Sequence, residues 1–182
     1  MTSLSDCARP EIALPGQYQF IDQIGEGVNG AIFRARDRNT GAEVILKCFA
    51  SQQRGAYLRE MAASFGLSHP NIARCLDTFY LADGSGWMVY QFLPDGTLRD
   101  LLQAQGRPEL KLVLKCLRDL LNALGYLHRL GLIHCDVKPE NLLVRRAPGA
   151  LADFVLGDLG AASFVREAYE GRHTTGSPAY AA

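Results

Sequence analysis

The run His134-Cys135-Asp136-Val137-Lys138-Pro139-Glu140-Asn141 holds an acid, a lysine and an amide within six positions. Such groups can converge on one small volume when they lie in a tight loop. A carboxylate there can accept the proton of an attacking hydroxyl, an ammonium can neutralise a transferring phosphate, and an amide oxygen can ligate Mg²⁺. The alternative is a solvated surface loop, since Lys-Pro-Glu-Asn also suits a turn.

A second acid, Asp158, begins the turn Asp158-Leu159-Gly160, directly after the apolar strand candidate Phe154–Leu156. Taken alone, an Asp-x-Gly sequence is usually only a turn. If Asp158 faces Asn141, its carboxylate supplies a second oxygen ligand for Mg²⁺.

Gly25, Gly27 and Gly30 form the spacing G-x-G-x-x-G. Glycines allow backbone N–H groups to approach phosphates closely, but an ordinary hairpin turn has the same composition, and both interpretations stay open. A dinucleotide fingerprint must open a helix. Here a turn and another strand candidate follow, which disfavours dinucleotide-dependent oxidoreduction. A Walker A loop is excluded because the sequence contains no Gly-Lys-Ser/Thr.

Lys47 ends an apolar strand candidate and Glu60 lies on the helix candidate that follows. Each residue alone is an ordinary charge, a lysine at a strand end and a solvated glutamate. Together they can form an ion pair that holds the ammonium against the α- and β-phosphates of a nucleotide.

Alternation and helical periodicity predict the elements that position these residues. Strands are predicted at Tyr18–Ile24, Ala31–Arg36, Glu43–Phe49, Ile72–Tyr80 and Gly86–Phe92, and helices at 54–67, from Leu98 with Thr97 as N-cap, and at 109–130. Five strands with one inserted helix, a short link at 91–95 and then helices fit two lobes with a cleft between them.

Composition narrows the class of protein. Lys plus Arg and Asp plus Glu both number 19, so no net charge draws the chain onto nucleic acid or an anionic membrane. The sequence has no signal peptide and no apolar run of the roughly 20 residues that span a bilayer, which predicts a cytoplasmic protein without a membrane segment. The 5 cysteines are scattered without a C-x-x-C pair, which predicts free thiols rather than a zinc site or disulfides.

The order of Gly25–Gly30, Lys47, Glu60, His134–Asn141 and Asp158–Gly160 resembles the protein-kinase signature set. The resemblance implies an α+β, two-lobed fold: a flexible lead-in at 1–17, and a kinase domain at 18–182. The N-lobe, 18–93, would hold a five-stranded antiparallel sheet with one helix, and the C-lobe, 94–182, would be mainly helical. Because Gly176–Ala182 stops short of the expected Ala-Pro-Glu, the C-lobe is expected to be incomplete and to end within the activation segment.

The same resemblance implies roles for single residues, with ATP and Mg²⁺ as cofactors. Asp136 would be the catalytic base assisted by Lys138, which is typical of Ser/Thr kinases, and Asn141 and Asp158 would hold Mg²⁺. The implied nucleotide-binding residues are Ile24, Gly25, Gly27, Gly30, Ile32, Ile45, Lys47, Glu60, Gln91, Leu93 and Leu143. Gln91 to Leu93 would be the hinge that reads adenine, with Tyr90 at the gatekeeper position.

The sequence departs from the family pattern at several positions. Cys135 stands where an Arg normally receives a phosphorylated activation loop, so we expect activity without strict dependence on phosphate at Thr174, Thr175 or Ser177. Ile45 replaces a small residue at the roof of the adenine pocket, where it is expected to crowd the base. Tyr90 is a bulky gatekeeper, so access to the back of the pocket is expected to be narrow. Ser64 is polar where the family tends to have an apolar residue, so the helix that carries Glu60 is expected to be held less firmly in its active position.

Two functions of different classes follow. The first is an ATP-dependent kinase that transfers the γ-phosphoryl group to Ser or Thr hydroxyls of protein substrates. The alternative is a non-catalytic nucleotide-binding or interaction module.

Overall fold

The computed structural model describes residues 14–27 and 30–165. The described residues form two compact units. The sheet unit comprises the residues up to Gly66 together with Arg74–Phe92, and the helical unit comprises Leu67–Ala73 and the residues from Leu93 onward. Residues 67–73, predicted to lie in the N-lobe, group with the helical unit because the Ala73 N–H donates to the Leu156 carbonyl at 2.8 Å.

Among its described residues, the sheet unit contains one five-stranded antiparallel sheet and one α-helix, as predicted. The elements are β1 (Tyr18–Gly27), β2 (Gly30–Asp37), β3 (Glu43–Phe49), α1 (Arg54–Ser64), β4 (Cys75–Tyr80) and β5 (Gly86–Gln91). The strands lie in the order β1-β2-β3-β5-β4, and each neighbouring pair is antiparallel.

One face of this sheet is an apolar core. Side chains alternate between the two faces of a strand, so residues two apart share a face. The core residues, all buried, are Tyr18, Phe33, Ala35, Val44, Leu46, Cys48, Trp87 and Val89. Phe33 stacks on Trp87 with ring centroids 5.7 Å apart. Each large side chain buried here contributes about 1.5–3 kcal/mol to folding.

The opposite face carries the predicted nucleotide-binding residues Ile32, Ile45 and Lys47. The strand register places Ile32 beside Lys47 and Ile45 beside Tyr90. Helix α1 packs on this same face, where Phe49 meets Tyr57 edge to face with centroids 5.7 Å apart. The register thus groups the predicted nucleotide residues of β2 and β3 on one face of the sheet.

Three predicted boundaries are each wrong by three residues. Strand β1 ends at Gly27 rather than Ile24, because residues 25–27 stay paired with β2. Helix α1 ends at Ser64 rather than at residue 67, because Phe65 is extended (φ −70°, ψ 130°) and Gly66 has φ +85°. Strand β4 begins at Cys75 rather than Ile72, because Ile72 forms an isolated bridge with Leu156 in the helical unit.

The helical unit contains two helices and four short strands among its described residues. They are α2 (Leu98–Gln105), α3 (Leu110–Arg129), β6 (Leu132–Ile133), β7 (Leu142–Arg145), β8 (Asp153–Leu156) and β9 (Ser163–Phe164), with β6 paired to β9 and β7 to β8. Thr97 caps α2 as predicted, since its hydroxyl accepts the Asp100 N–H while the Asp100 carboxylate accepts the Thr97 N–H at 2.8 Å. Such a capping box fixes where the helix starts.

The core of the helical unit lies where α2 and α3 meet the β7–β8 hairpin, around Leu101, Leu142, Val144 and Phe154. The outer side of α3 is an exposed leucine stripe, comprising Leu110, Leu114, Leu117 and Leu121, which are 50% to 71% exposed. Among the described residues, no helix combines the length and apolar character needed to cross a membrane.

Three described cysteines, Cys75, Cys116 and Cys135, are free thiols, as predicted. The prediction is wrong for Cys48, which is disulfide-bonded. Spacing along the chain excludes a C-x-x-C site, but it does not determine which cysteines approach one another in the folded protein.

Candidate functional site

The glycine-rich segment closes the β1–β2 hairpin, with Gly27 paired to Gly30 and residues 28 and 29 outside the described residues. Gly30 has φ +134°, and a Cβ placed there would lie 2.0 Å from the Cys48 carbonyl oxygen. Gly25 has nothing within 4 Å of an added Cβ. A strand rather than a helix follows Gly30, so the dinucleotide interpretation does not fit.

Lys47 and Glu60 form a buried ion pair between β3 and α1. The Lys47 ammonium donates to both carboxylate oxygens of Glu60, at 2.8 and 2.7 Å. The two side chains are 11% and 0% exposed. Because the pair is shielded from water, its attraction is screened far less than that of a surface pair.

Tyr90 on β5 reaches the same carboxylate. Its hydroxyl donates to Glu60 Oε1 at 2.9 Å and lies 3.3 Å from the hydroxyl of Ser64, which is buried. Burial, reinforced by the Glu60 charge, holds the pKa of Tyr90 well above its ordinary value of 10. The hydroxyl therefore stays protonated at neutral pH. Ser64 was expected to hold the helix less firmly, but it has a polar partner.

The other predicted nucleotide residues fall into two groups. In the sheet unit, Ile32 and Ile45 lie partly buried on the Lys47 face, while Ile24 near the end of β1 is 50% exposed. Gln91 ends β5, and its N–H donates to the Arg74 carbonyl at 3.1 Å. Leu93 and Leu143 belong to the helical unit, where both are partly buried.

The loop predicted to do chemistry brings its three side chains together. Lys138 Nζ lies 2.7 Å from Asp136 Oδ2, and the Asn141 amide donates to the same oxygen at 3.0 Å. The Asn141 amide also donates to the Asp136 carbonyl at 2.8 Å. A 3₁₀ turn at Pro139–Asn141 folds the chain back so that the amide can reach the acid.

Backbone strain concentrates in the same region. Among the described residues, Cys135 and Asp158 alone combine a positive φ with a side chain other than glycine, at 62° and 54°. Each such conformation costs roughly 1–3 kcal/mol and persists only where surrounding contacts impose it. One strained residue precedes Asp136, and the other is the predicted metal ligand.

His134 was predicted only as the first residue of the motif, and its contacts could not be predicted from the sequence. Its ring is buried, with Nδ1 accepting the Asp136 N–H at 3.3 Å and Nε2 lying 3.0 Å from the Gly157 carbonyl. These contacts require the tautomer with hydrogen on Nε2. Burial lowers the pKa of His134 from 6.5, so the ring is neutral at neutral pH.

Asn141 and Asp158 fit a magnesium ion by their chemistry. The Gly157 N–H donates to the Asn141 carbonyl at 2.8 Å, which brings the residue before Asp158 against Asn141. The Asn141 amide nitrogen is turned to Asp136, so its oxygen is available for a cation. Asp158 is exposed. Carboxylate and amide oxygens are the ligands that Mg²⁺ prefers, often completed by substrate phosphates.

A charge cluster around the buried Asp119, also missed, ties α3 to β8. Asp119 accepts the Phe154 N–H at 3.0 Å, and Lys115 bridges Asp119 and Asp153. An acid among the leucines of a helix was the available signal, since such an acid needs partners when buried. The cluster fixes the strand that leads to Asp158.

Comparison with known proteins points to one family. Residues 18–182 match the model of the family described as protein kinase domain. The chain is 29% identical over 165 residues, 88% of its length, to the serine/threonine-protein kinase MST20 of Pyricularia oryzae. It is 30% identical over 128 residues (70%) to the serine/threonine-protein kinase RUNKEL of Arabidopsis thaliana, and 29% over 157 residues (86%) to the serine/threonine-protein kinase ppk16 of Schizosaccharomyces pombe.

All three relatives are much longer proteins. The matched segments amount to 17%, 9% and 23% of their respective lengths.

Proposed function

The chain belongs to the protein kinase family, and on that premise we propose that it transfers the γ-phosphoryl group of ATP to Ser or Thr hydroxyls of protein substrates. The observation that carries the proposal is the cluster of Asp136, Lys138 and Asn141, in which one carboxylate oxygen meets an ammonium and an amide. A non-catalytic module has no need for an acid held in this way.

Asp136 acts as the base in this proposal. Its carboxylate accepts the proton of the attacking hydroxyl as the oxygen approaches the γ-phosphorus. The Asn141 amide orients the carboxylate by donating one hydrogen bond to Oδ2 and a second to the Asp136 backbone carbonyl. Lys138 supplies positive charge next to the base, where it stabilises the negative charge on the transferring group.

The sheet unit holds the nucleotide in this proposal. Lys47, fixed by Glu60, contacts the α- and β-phosphates, and the hairpin with Gly25, Gly27 and Gly30 covers them. The aliphatic residues Ile24, Ile32 and Ile45 contact the base, and the backbone of Gln91 reads its edge. The family motif assigns Leu93 and Leu143, which belong to the helical unit, to the same nucleotide.

Asn141 and Asp158 would hold Mg²⁺, which neutralises charge on the phosphate oxygens when bound. The exposed carboxylate of Asp158 and the oriented amide of Asn141 support this assignment. A cytoplasmic location and the absence of a nucleic-acid partner stay predictions.

Two features favour Ser and Thr as acceptors. Lys138 lies two residues after the base, as in Ser/Thr kinases, and the three relatives are all named serine/threonine-protein kinases. No observation among the described residues favours the non-catalytic alternative.

The test compares the wild-type chain with Asp136→Asn. We expect Mg-ATP to raise the melting temperature of both proteins, because binding to the folded state stabilises it. Only the wild type should transfer phosphate to a mixed Ser/Thr peptide library, with a loss of about 10²-fold or more in the variant. Asp95→Asn is the control, since Asp95 only accepts the Arg146 N–H at 2.7 Å.

A wild-type chain that binds Mg-ATP and transfers nothing, like its variant, would identify a non-catalytic module. A chain that melts cooperatively without any response to Mg-ATP would contradict nucleotide binding itself.

A further inference from the structure

Helix α1 is joined to the sheet by polar contacts from two different strands. Lys47 reaches Glu60 from β3, and Tyr90 reaches it from β5. In the strand register, Lys47 pairs with Met88 and Ile45 pairs with Tyr90, so Lys47 and Tyr90 lie on one face and diagonal to each other. Glu60 is therefore held from two directions.

The contacts divide unevenly between the two carboxylate oxygens of Glu60. Oε1 meets Lys47 at 2.8 Å and Tyr90 at 2.9 Å, and Oε2 meets Lys47 at 2.7 Å. A lysine ammonium is a point charge on a flexible stem and accepts many orientations of a carboxylate. The Tyr90 hydroxyl sits on a rigid ring, so it selects one orientation.

Tyr90 also contacts the helix one turn further along. Ser64 lies four residues after Glu60, on the same side of α1, and its hydroxyl is 3.3 Å from that of Tyr90. Ser64 can donate to Tyr90 while Tyr90 donates to Glu60. Two contact points a turn apart restrict both rotation and sliding of the helix.

We propose that Tyr90, together with Ser64, is a positioning residue that holds α1 where Glu60 engages Lys47. Its effect on nucleotide binding rests on the proposed function, in which Lys47 contacts the phosphates. When a smaller fraction of the molecules holds Lys47 in place, the apparent affinity for ATP falls in proportion to that fraction. Saturating nucleotide restores that fraction, so the effect belongs in KM for ATP rather than in kcat.

The first experiment compares Tyr90→Phe with Tyr57→Phe. Tyr57 is the matched control, because it is buried on α1 and its hydroxyl bonds to Thr78 rather than to Glu60. We expect Tyr90→Phe to raise KM for ATP by up to about tenfold. The value of kcat should stay within about twofold, and KM for peptide should not change. Ser64→Ala should shift KM in the same direction by less.

The second experiment needs no nucleotide. Pulse labelling with acetic anhydride, read by mass spectrometry, measures the accessibility of Lys47 against that of Lys111, which is exposed on α3. Tyr90→Phe should increase relative labelling of Lys47, and Tyr57→Phe should not.

The outcomes separate the two proposals. If the wild type neither binds Mg-ATP nor transfers phosphate, the proposed function fails, and the labelling ratio alone decides the role of Tyr90. Wild-type labelling of Lys47 in Tyr90→Phe would overturn the inference. A variant with reduced kcat, unchanged KM for ATP and a lowered melting temperature would also overturn it, because it would assign Tyr90 to packing alone.

Discussion

His134 accepts the backbone N–H of Asp136 through Nδ1 at 3.3 Å. The other ring nitrogen lies 3.0 Å from the Gly157 carbonyl, next to Asp158. One buried imidazole thus connects the loop that carries the proposed base to the segment that carries the proposed metal ligand. The connection requires a neutral ring, because a protonated Nδ1 donates and cannot accept.

The first prediction concerns the pH dependence of stability. Burial lowers the pKa of His134 from 6.5, so below pH 6.5 the unfolded chain binds a proton that the folded chain does not. This contribution to stability is complete above pH 6.5 and is lost as pH falls through the folded pKa. His134→Phe should cost about 1–3 kcal/mol at neutral pH, and its deficit relative to wild type should shrink toward about pH 5.

Denaturant unfolding across that pH range measures the effect. His69→Phe is measured alongside as a comparison variant. Burial also lowers the pKa of His69, but this residue lies far from the Asp136 loop in sequence, so it reports on a buried histidine outside that loop. A deficit for His134→Phe that is the same at both ends of the range would contradict the neutral, buried ring.

The second prediction separates two glycines of one motif. Gly30→Ala should destabilise the fold by more than the roughly 1–3 kcal/mol of a strained conformation, because its Cβ would meet the Cys48 carbonyl oxygen at 2.0 Å. Gly25→Ala should leave the free energy of unfolding nearly unchanged, since nothing lies within 4 Å. Chemical denaturation of both variants checks this, and equal losses would show that the hairpin is not packed as described.

The third prediction concerns the buried ion pair. Lys47→Met should destabilise the chain by about 3–5 kcal/mol, because it leaves the Glu60 carboxylate buried without its counter-ion. Lys47→Met combined with Glu60→Leu should recover much of that loss. Arg99→Met is the control, since the Arg99–Glu140 pair is 37% and 44% exposed and is worth about 0–1 kcal/mol.

Unfolding free energies of the three variants provide the measurement. If the double variant were no more stable than Lys47→Met alone, the loss would come from packing of the lysine stem and not from the uncompensated charge.

The fourth prediction concerns regulation by phosphate. Cys135 replaces a cation that would receive a phosphorylated loop, so joint replacement of Thr174, Thr175 and Ser177 by Ala should leave phosphotransfer within about twofold. These three positions lie outside the described residues. Peptide phosphorylation by dephosphorylated wild type and by the triple variant tests the point, and abolished transfer in a variant with an unchanged melting curve would refute it.

Much of the fold was predictable because the alternation of apolar and polar residues in strands and the capping residues of helices are local signals. Strand β3 was predicted with both boundaries correct, and Thr97 was identified as the cap of α2. The end of α1 was not predicted, because the extended conformation of Phe65 depends on the chain that follows. The early start assigned to β4 failed because Ile72 pairs with Leu156, a contact between residues far apart in sequence.

The site was predictable to the extent that it follows a motif. Lys47 and Glu60 were paired because one lies on the third strand and the other on the next helix, and the structure shows their contact. Tyr90 was noted for its bulk, but the role of its hydroxyl depends on the register between β3 and β5. The cluster of Lys115, Asp119 and Asp153 was missed for a related reason, since its members come from a helix and a strand 34 residues beyond Asp119.

The exposed leucine stripe on α3 affects how these measurements should be made. Its four members, 50% to 71% exposed, offer a folded-state binding site to dyes that fluoresce on apolar surfaces. A dye-based melt would then start from a high signal and flatten the transition. Circular dichroism or intrinsic Trp87 fluorescence follows unfolding without that interference, and low protein concentration limits association of the chains through the stripe.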